Sequence, residues 1–495
     1  MRTSAMVAGF AAVVALAACS PSKPPGGGSH DAGSGGNGNA STGGSSGKGS
    51  GGSTSGDGGS GGTQPPTTAC TQANTGSATL RLLTRGEFEN SINDIFPNAK
   101  GKWTNSLPAD SVSAYGFDNA VTSSVGNQKA GALLDTALSI GTAVTGSELQ
   151  NLLPCAASAK DHACAETFVT KYGLRLFRRE PTADETKRYL DLFDTALALT
   201  DFPTALKWVT AGLIQSPYSV YRSELGTVAG GVRKLSAYEI ATELAYTFGG
   251  STPSEDLLQK AAAAGDGDFP DVAGTAKSLV NSPGGQLALQ HFFAGYFDYT
   301  RVASVDKMGL TGAPSAFTSV SGAMVDETQA FLTKVILDGT GTFNDLFTSK
   351  TTYPSQQLAA FYGSDPTNSA KFPVPGSDGS VTRPDGQGVG ILAQGSFLAS
   401  HSNSDASSPT QRGLFVYYRL LCQGKVKPPE KVPPISSAEQ TKTTRERYEK
   451  AHATPGSTCA TCHMFFDPIG FGFESFDAAG RFRTQQNGEP IDASG

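Results

Sequence analysis

Thr84-Arg85-Gly86-Glu87-Phe88-Glu89-Asn90-Ser91-Ile92-Asn93-Asp94-Ile95-Phe96 is the stretch that decides the fold class of this chain. Thr84 followed three residues later by Glu87 is a capping box: the hydroxyl accepts from an amide of the first turn and the carboxylate reaches back to the cap amide. Phe88, Ile92, Ile95 and Phe96 then recur at helical spacing, which gives the helix one apolar face. The same signature returns at Thr182…Glu185, ahead of Tyr189, Leu190 and Phe193, and at Ser236…Glu239, ahead of Ile240, Leu244 and Phe248. Further amphipathic stretches run through 205–214, 287–299 and 325–337, while alternating β-branched residues are scarce. The expectation is a mostly α-helical body with little sheet. Phe292, Phe293, Tyr296 and Phe297 fall on helical faces and read as core.

Breaks in this pattern divide the body. Glycines at 226–231, the Gly/Pro/Asp-rich 364–388 and the proline pairs of 425–435 separate modules expected at 69–150, 151–228, 229–365 and 366–495. The last break reads as a stiff polyproline-like spacer. Asp266-Gly267-Asp268 with Asp271 lacks the ligand spacing and closing Glu of a calcium loop, so a solvated turn is expected.

Ahead of the body lies a different composition. Arg2 precedes an apolar run from Ala5 to Ala18, 14 residues, too short for the roughly 20 that a helix needs to span a bilayer. With its flanks it reads as a secretory signal over 1–18. It ends Leu16-Ala17-Ala18-Cys19, which resembles a bacterial lipobox, so Cys19 is expected to be lipidated and to anchor the chain in a membrane. Ser20, rather than Asp, follows, and by resemblance to sorting rules this points to an outer-membrane lipoprotein of the cell envelope, facing periplasm or cell surface. Of 60 glycines, 18 lie between Gly26 and Gly62. The 19–68 segment has almost no apolar surface to offset its conformational entropy and is expected to be a disordered tether. Its match to G-x-S-x-G at 58–62 is low-complexity coincidence. The formal net charge is −6, which gives no electrostatic basis for binding nucleic acid.

The chemistry lies near the C-terminal end, in Cys459-Ala460-Thr461-Cys462-His463. C-x-x-C-H is the spacing of a covalent haem c site. Two thiols three positions apart share one side of a helical turn and reach both vinyl groups of one porphyrin, with the adjacent imidazole beneath the iron. A thioredoxin-like motif would need a βαβ frame, which is missing. A zinc site would need a second Cys/His pair, and a Cys459–Cys462 disulfide is sterically poor. One haem c on Cys459, Cys462 and His463 is therefore expected, with His463 as proximal iron ligand. His401 and His452 are candidates for the sixth position, with Met308, Met324 or water as the other options. Met464 is too close to the proximal histidine to reach the other face. Setting aside Cys19, Cys459 and Cys462 leaves four of seven cysteines. Cys155 and Cys164 are close enough to pair in an oxidising compartment, which leaves Cys70 and Cys422 for a second bridge. Phe465, Phe466, Phe471, Phe473 and Phe476 are expected to wall the haem. Arg481 or Arg483 would pair with its propionates, or else with Glu474 or Asp477.

Several motifs together resemble a known group. They are the 84–94 segment, Phe177-Arg178-Arg179-Glu180-Pro181-Thr182, Ser216-Pro217-Tyr218…Tyr221-Arg222 and Leu235-Ser236-Ala237-Tyr238-Glu239-Ile240-Ala241. Ser408-Pro409-Thr410-Gln411-Arg412-Gly413 and Asp467-Pro468-Ile469-Gly470-Phe471…Glu474…Phe476-Asp477…Gly480-Arg481 complete the set. The group is a multi-domain family of planctomycete and myxobacterial exported proteins, built from domains of unknown function with a cytochrome-c-like module. The resemblance implies a redox role at the cell envelope with no settled substrate. Family chains continue past the Gly488…Asp492 segment into another helical module, so a longer parent chain is expected. The function expected is one-electron transfer with a redox partner protein. A haem-dependent oxidoreductase and a non-enzymatic surface or polysaccharide-binding lipoprotein are the alternatives.

Overall fold

The computed structural model describes residues 80–113, 116–119, 124–147, 149–229, 232–307, 314–338, 341–368, 371–424, 442–454 and 457–495. The expected signal peptide, Cys19, the tether, Cys70, Met308 and the proline-rich 425–435 lie outside these residues. The described chain is mostly helical. Among the described residues, strands occur as four short antiparallel pairs. Arg81–Leu82 pairs with Tyr221–Arg222, Thr227–Ala229 with Val232–Lys234, Thr351–Thr352 with Val381–Thr382, and Gln485–Gln486 with Glu489–Pro490. None of the described helices is long and apolar enough to cross a membrane.

All three expected capping boxes form, at Thr84/Glu87, Thr182/Glu185 and Ser236/Glu239, and a fourth forms at Thr443/Glu446. The first three start helices whose apolar positions enter a core. Phe88, Ile92, Ile95, Phe168, Phe193, Val209 and Ile214 share the first and largest. A small second core gathers Ala241, Leu244, Leu257 and Phe269. Residues after 288 build two further apolar clusters, one around Met324, Leu358 and Phe372 and one around Phe293, Phe331, Phe397 and Phe476. Met324 is thus core. Thr227–Ala229 and Val232–Lys234, at the 226–231 break, pair antiparallel, and in the 266–271 turn Asp268 pairs with Lys234 while Asp271 caps the Val272–Val280 helix.

Two buried arginines hold separate parts of the body together. Arg178, in the left-handed conformation that ends the His162–Phe177 helix, donates to the carbonyls of Leu176, Tyr218, Ser219 and Tyr221. Arg412, on the Pro409–Phe415 helix, donates to the carbonyls of Leu398, Phe473, Phe476 and Asp477 and to Ser402 Oγ. Burial pulls the Arg412 guanidinium down to about 10. The carbonyl dipoles around it replace the water it has lost. Cys155 and Cys164 are disulfide-bonded with their Cα atoms 5.7 Å apart. Cys422, in a left-handed conformation (φ 53°), carries an exposed thiol, and Cys70, its expected partner, lies outside the described residues.

Candidate functional site

Three short helices assemble the site. Thr458–His463 carries the C-x-x-C-H motif, capped by Ser457 Oγ on the amide of Ala460. Asp467–Phe471 follows after a tight turn, with Pro468 in its first turn where no amide donor is needed. Pro409–Phe415 crosses that helix at backbone contact. A Cβ on Gly413 would lie 1.9 Å from the Phe466 carbonyl oxygen, and one on Gly470 would lie 1.9 Å from the Pro409 carbonyl oxygen. Only glycine fits at either place, because no heavy atom tolerates such an approach. The crossing brings Thr410 to Asp467.

Asp467 is the hub. Its Oδ1 accepts from Thr410 Oγ1 at 2.6 Å, and its Oδ2 accepts from Nδ1 of both His463 and His452 at 2.9 Å. Burial works to raise the pKa of this carboxyl, but hydrogen bonds from His452, His463 and Thr410 outweigh it and hold it below the ordinary carboxylate range. An ionised carboxylate can only accept, so both imidazoles carry their proton on Nδ1 and keep Nε2 free. The carboxylate–imidazole pair is the arrangement that orients metal-ligating histidines.

These groups border a cavity of about 520 Å³, within the size range of small-molecule and cofactor sites. Its opposite wall is the Thr444–His452 helix, which presents Arg445, Tyr448, Glu449 and His452 at positions i, i+3, i+4 and i+7. Among the described residues, Arg445 is the only Lys or Arg on the wall. Its guanidinium lies 4.8 Å from the Phe471 ring centroid and pairs with Glu449 and Asp492.

The structure brings His463 and His452 together and leaves His401 elsewhere. His401 packs between Phe397 and Phe415 and does not line the cavity. The His452 and His463 ring centroids are 3.7 Å apart. Two imidazoles on opposite faces of one iron, with metal–nitrogen bonds of about 2 Å, would have centroids about 6 Å apart. As placed, the pair does not bracket one iron. Cys459 and Cys462 are half-buried free thiols on a flank of the motif helix, outside the cavity lining. Of the five phenylalanines expected as a wall, only Phe471 lines the cavity, while Phe473 and Phe476 pack into the core and Phe465 is exposed. Arg481 pairs with Asp477 and Arg483 with Glu474, the structural one of the two roles expected for them.

Four family models match the chain. They are PSD3, a protein of unknown function (DUF1587), at 81–146; PSD5, of unknown function (DUF1595), at 164–224; PSD4, of unknown function (DUF1592), at 235–364; and PSCyt3, of unknown function (DUF1588), at 388–486. The set is consistent with a planctomycete-type multi-domain family. No curated protein and no solved structure matches.

Proposed function

We propose that this chain is an envelope-anchored c-type haem protein that performs one-electron transfer, with haem thioether-linked to Cys459 and Cys462 and iron bound by His463. The observation that carries this reading is the imidazole immediately after the thiol pair. It borders a cofactor-sized cavity and is tethered through Nδ1 to a buried carboxylate, so that Nε2 is the nitrogen left for metal. The donor set fits the group: two unpaired thiols at C-x-x-C spacing and an anchored imidazole. The name of the PSCyt3 model, whose match includes the motif, also favours a cytochrome-like role. A bound haem would supply a ferric/ferrous couple. The protein's part is to hold the ring through Asp467, to keep water away with Phe471, and to offer Arg445 as counter-charge for a propionate. Lipid on Cys19 would hold the chain at the outer membrane, within reach of a redox partner protein.

A second reading has one observation in its favour. Single ligand atoms of His452, His463 and Asp467 lie within 4.8 Å of one another, a set that could hold a transition metal directly. Full-length chain produced in a host with cytochrome c maturation separates the two. The haem reading expects one haem per chain in an alkaline pyridine haemochrome spectrum and a peroxidase stain on a denaturing gel. Both should vanish in Cys459→Ala/Cys462→Ala while the helical circular dichroism stays. Stoichiometric zinc without haem, retained in the double variant, would establish the second reading instead.

A further inference from the structure

The geometry points to Asp467 as the positioning residue that sets the electronic character of the His463 imidazole, with Thr410 holding Asp467 in place. This rests on the haem reading above and deepens it. In a C-x-x-C-H helix the thioethers fix the porphyrin but leave the imidazole free to rotate about its own bonds. Whatever accepts the Nδ1 proton decides the orientation of the ring and how much electron density it passes to a metal at Nε2.

Here the acceptor is a carboxylate with 4% of its residue surface exposed, at 2.9 Å from Nδ1. A buried negative acceptor takes more of the Nδ1 proton than a neutral carbonyl would, which makes the ring a stronger donor and favours the oxidised metal. The carboxylate is not adjustable. Its other oxygen accepts from Thr410 Oγ1 at 2.6 Å, and Thr410 also lies 3.4 Å from His463 Nδ1. Thr410 in turn is placed by the Gly413–Gly470 crossing. His452 shares Oδ2 at 2.9 Å and draws on the same charge, so removing its imidazole should strengthen the hold on His463. The three partners therefore make a graded series, with opposite signs predicted for loss of the acceptor and loss of the competitor.

The test uses the matured full-length chain and reads haem per chain, midpoint potential and the iron–histidine stretching band. Asp467→Asn keeps the shape but removes the charge. Haem per chain should stay at the wild-type value, the stretching band should fall in frequency, and the potential should rise by about 59 mV or more, a tenfold change in a one-electron equilibrium. Thr410→Val, which leaves the carboxylate in place but unanchored, should shift the potential in the same direction by less, and Asp467→Glu should recover part of the shift. His452→Phe should move it the other way. Haem present in all variants with an unchanged potential and band would overturn the role given to Asp467 and leave the haem reading intact. A wild-type chain without haem would overturn both.

Discussion

Two buried carboxylates in this protein are solved by the same hydrogen-bond arithmetic and lead to different ends. Glu327, on the Pro314–Leu332 helix, accepts from Thr352 Oγ1 at 2.5 Å, Tyr362 Oη at 2.6 Å and Arg383 at 3.5 Å, and its side chain has no exposure. Asp467 likewise has three donors and almost no exposure. Around Glu327 the donors are two hydroxyls and a guanidinium, with no imidazole nitrogen left over. Burial, then the Glu327 charge, pushes the Tyr362 hydroxyl well above its ordinary range, so it stays a neutral donor. Around Asp467 two of the donors are imidazoles, each with a second nitrogen left over and a cavity beside it. A satisfied buried charge is therefore no sign of chemistry by itself. What marks a site is a donor that still has an unused functional atom within reach of a ligand.

That contrast can be broken by mutation. Glu327→Ala strands a buried guanidinium and hydroxyl and should cost about 3–5 kcal/mol of stability, read by denaturant unfolding, while haem per chain in the molecules that fold stays unchanged. A loss of haem without a loss of stability would erase the distinction between the two carboxylates. His401 sharpens it from another side, since this imidazole donates Nδ1 to the Phe397 carbonyl and has no carboxylate. Burial holds its pKa down at about 4, against 6.5 for the free side chain. Between those values the unfolded chain binds the proton first. The stability it contributes is complete above pH 6.5 and is lost as pH falls towards 4, by about 3 kcal/mol. Unfolding at several pH values should show that slope, and His401→Phe should flatten it. At the crossing, Gly413→Ala puts a Cβ 1.9 Å from a backbone carbonyl oxygen, so it should cost more than the about 1–3 kcal/mol of ordinary overpacking and also shift the iron–histidine band, since Thr410 moves with its helix. An unchanged band would mean that the carboxylate does not depend on the crossing.

The helical body was legible because caps and apolar spacing are local. Thr84, Thr182 and Ser236 each announce a helix within four residues, and each does so in the structure. The C-x-x-C-H motif was legible for the same reason. Asp467 was visible only as part of a turn, because its role depends on Thr410, 57 residues earlier, and on two glycines whose contact is purely tertiary. Arg445, Tyr448, Glu449 and His452 share a helical face in the sequence, but such a polar face marks a solvated helix equally well. Phe465 to Phe476 reads as one wall. The Asp467–Phe471 helix and the turn after it send those rings to the surface, the cavity and the core.

The close contact at Gly413 and Gly470 has one more implication. Main chain meets main chain there, so no rotamer stands between the helices to take up slack, and the spacing of carboxylate and imidazole is inherited from the peptide skeleton. A redox centre seated on such a frame would relax little when its charge changes, and small relaxation keeps the barrier to electron exchange low.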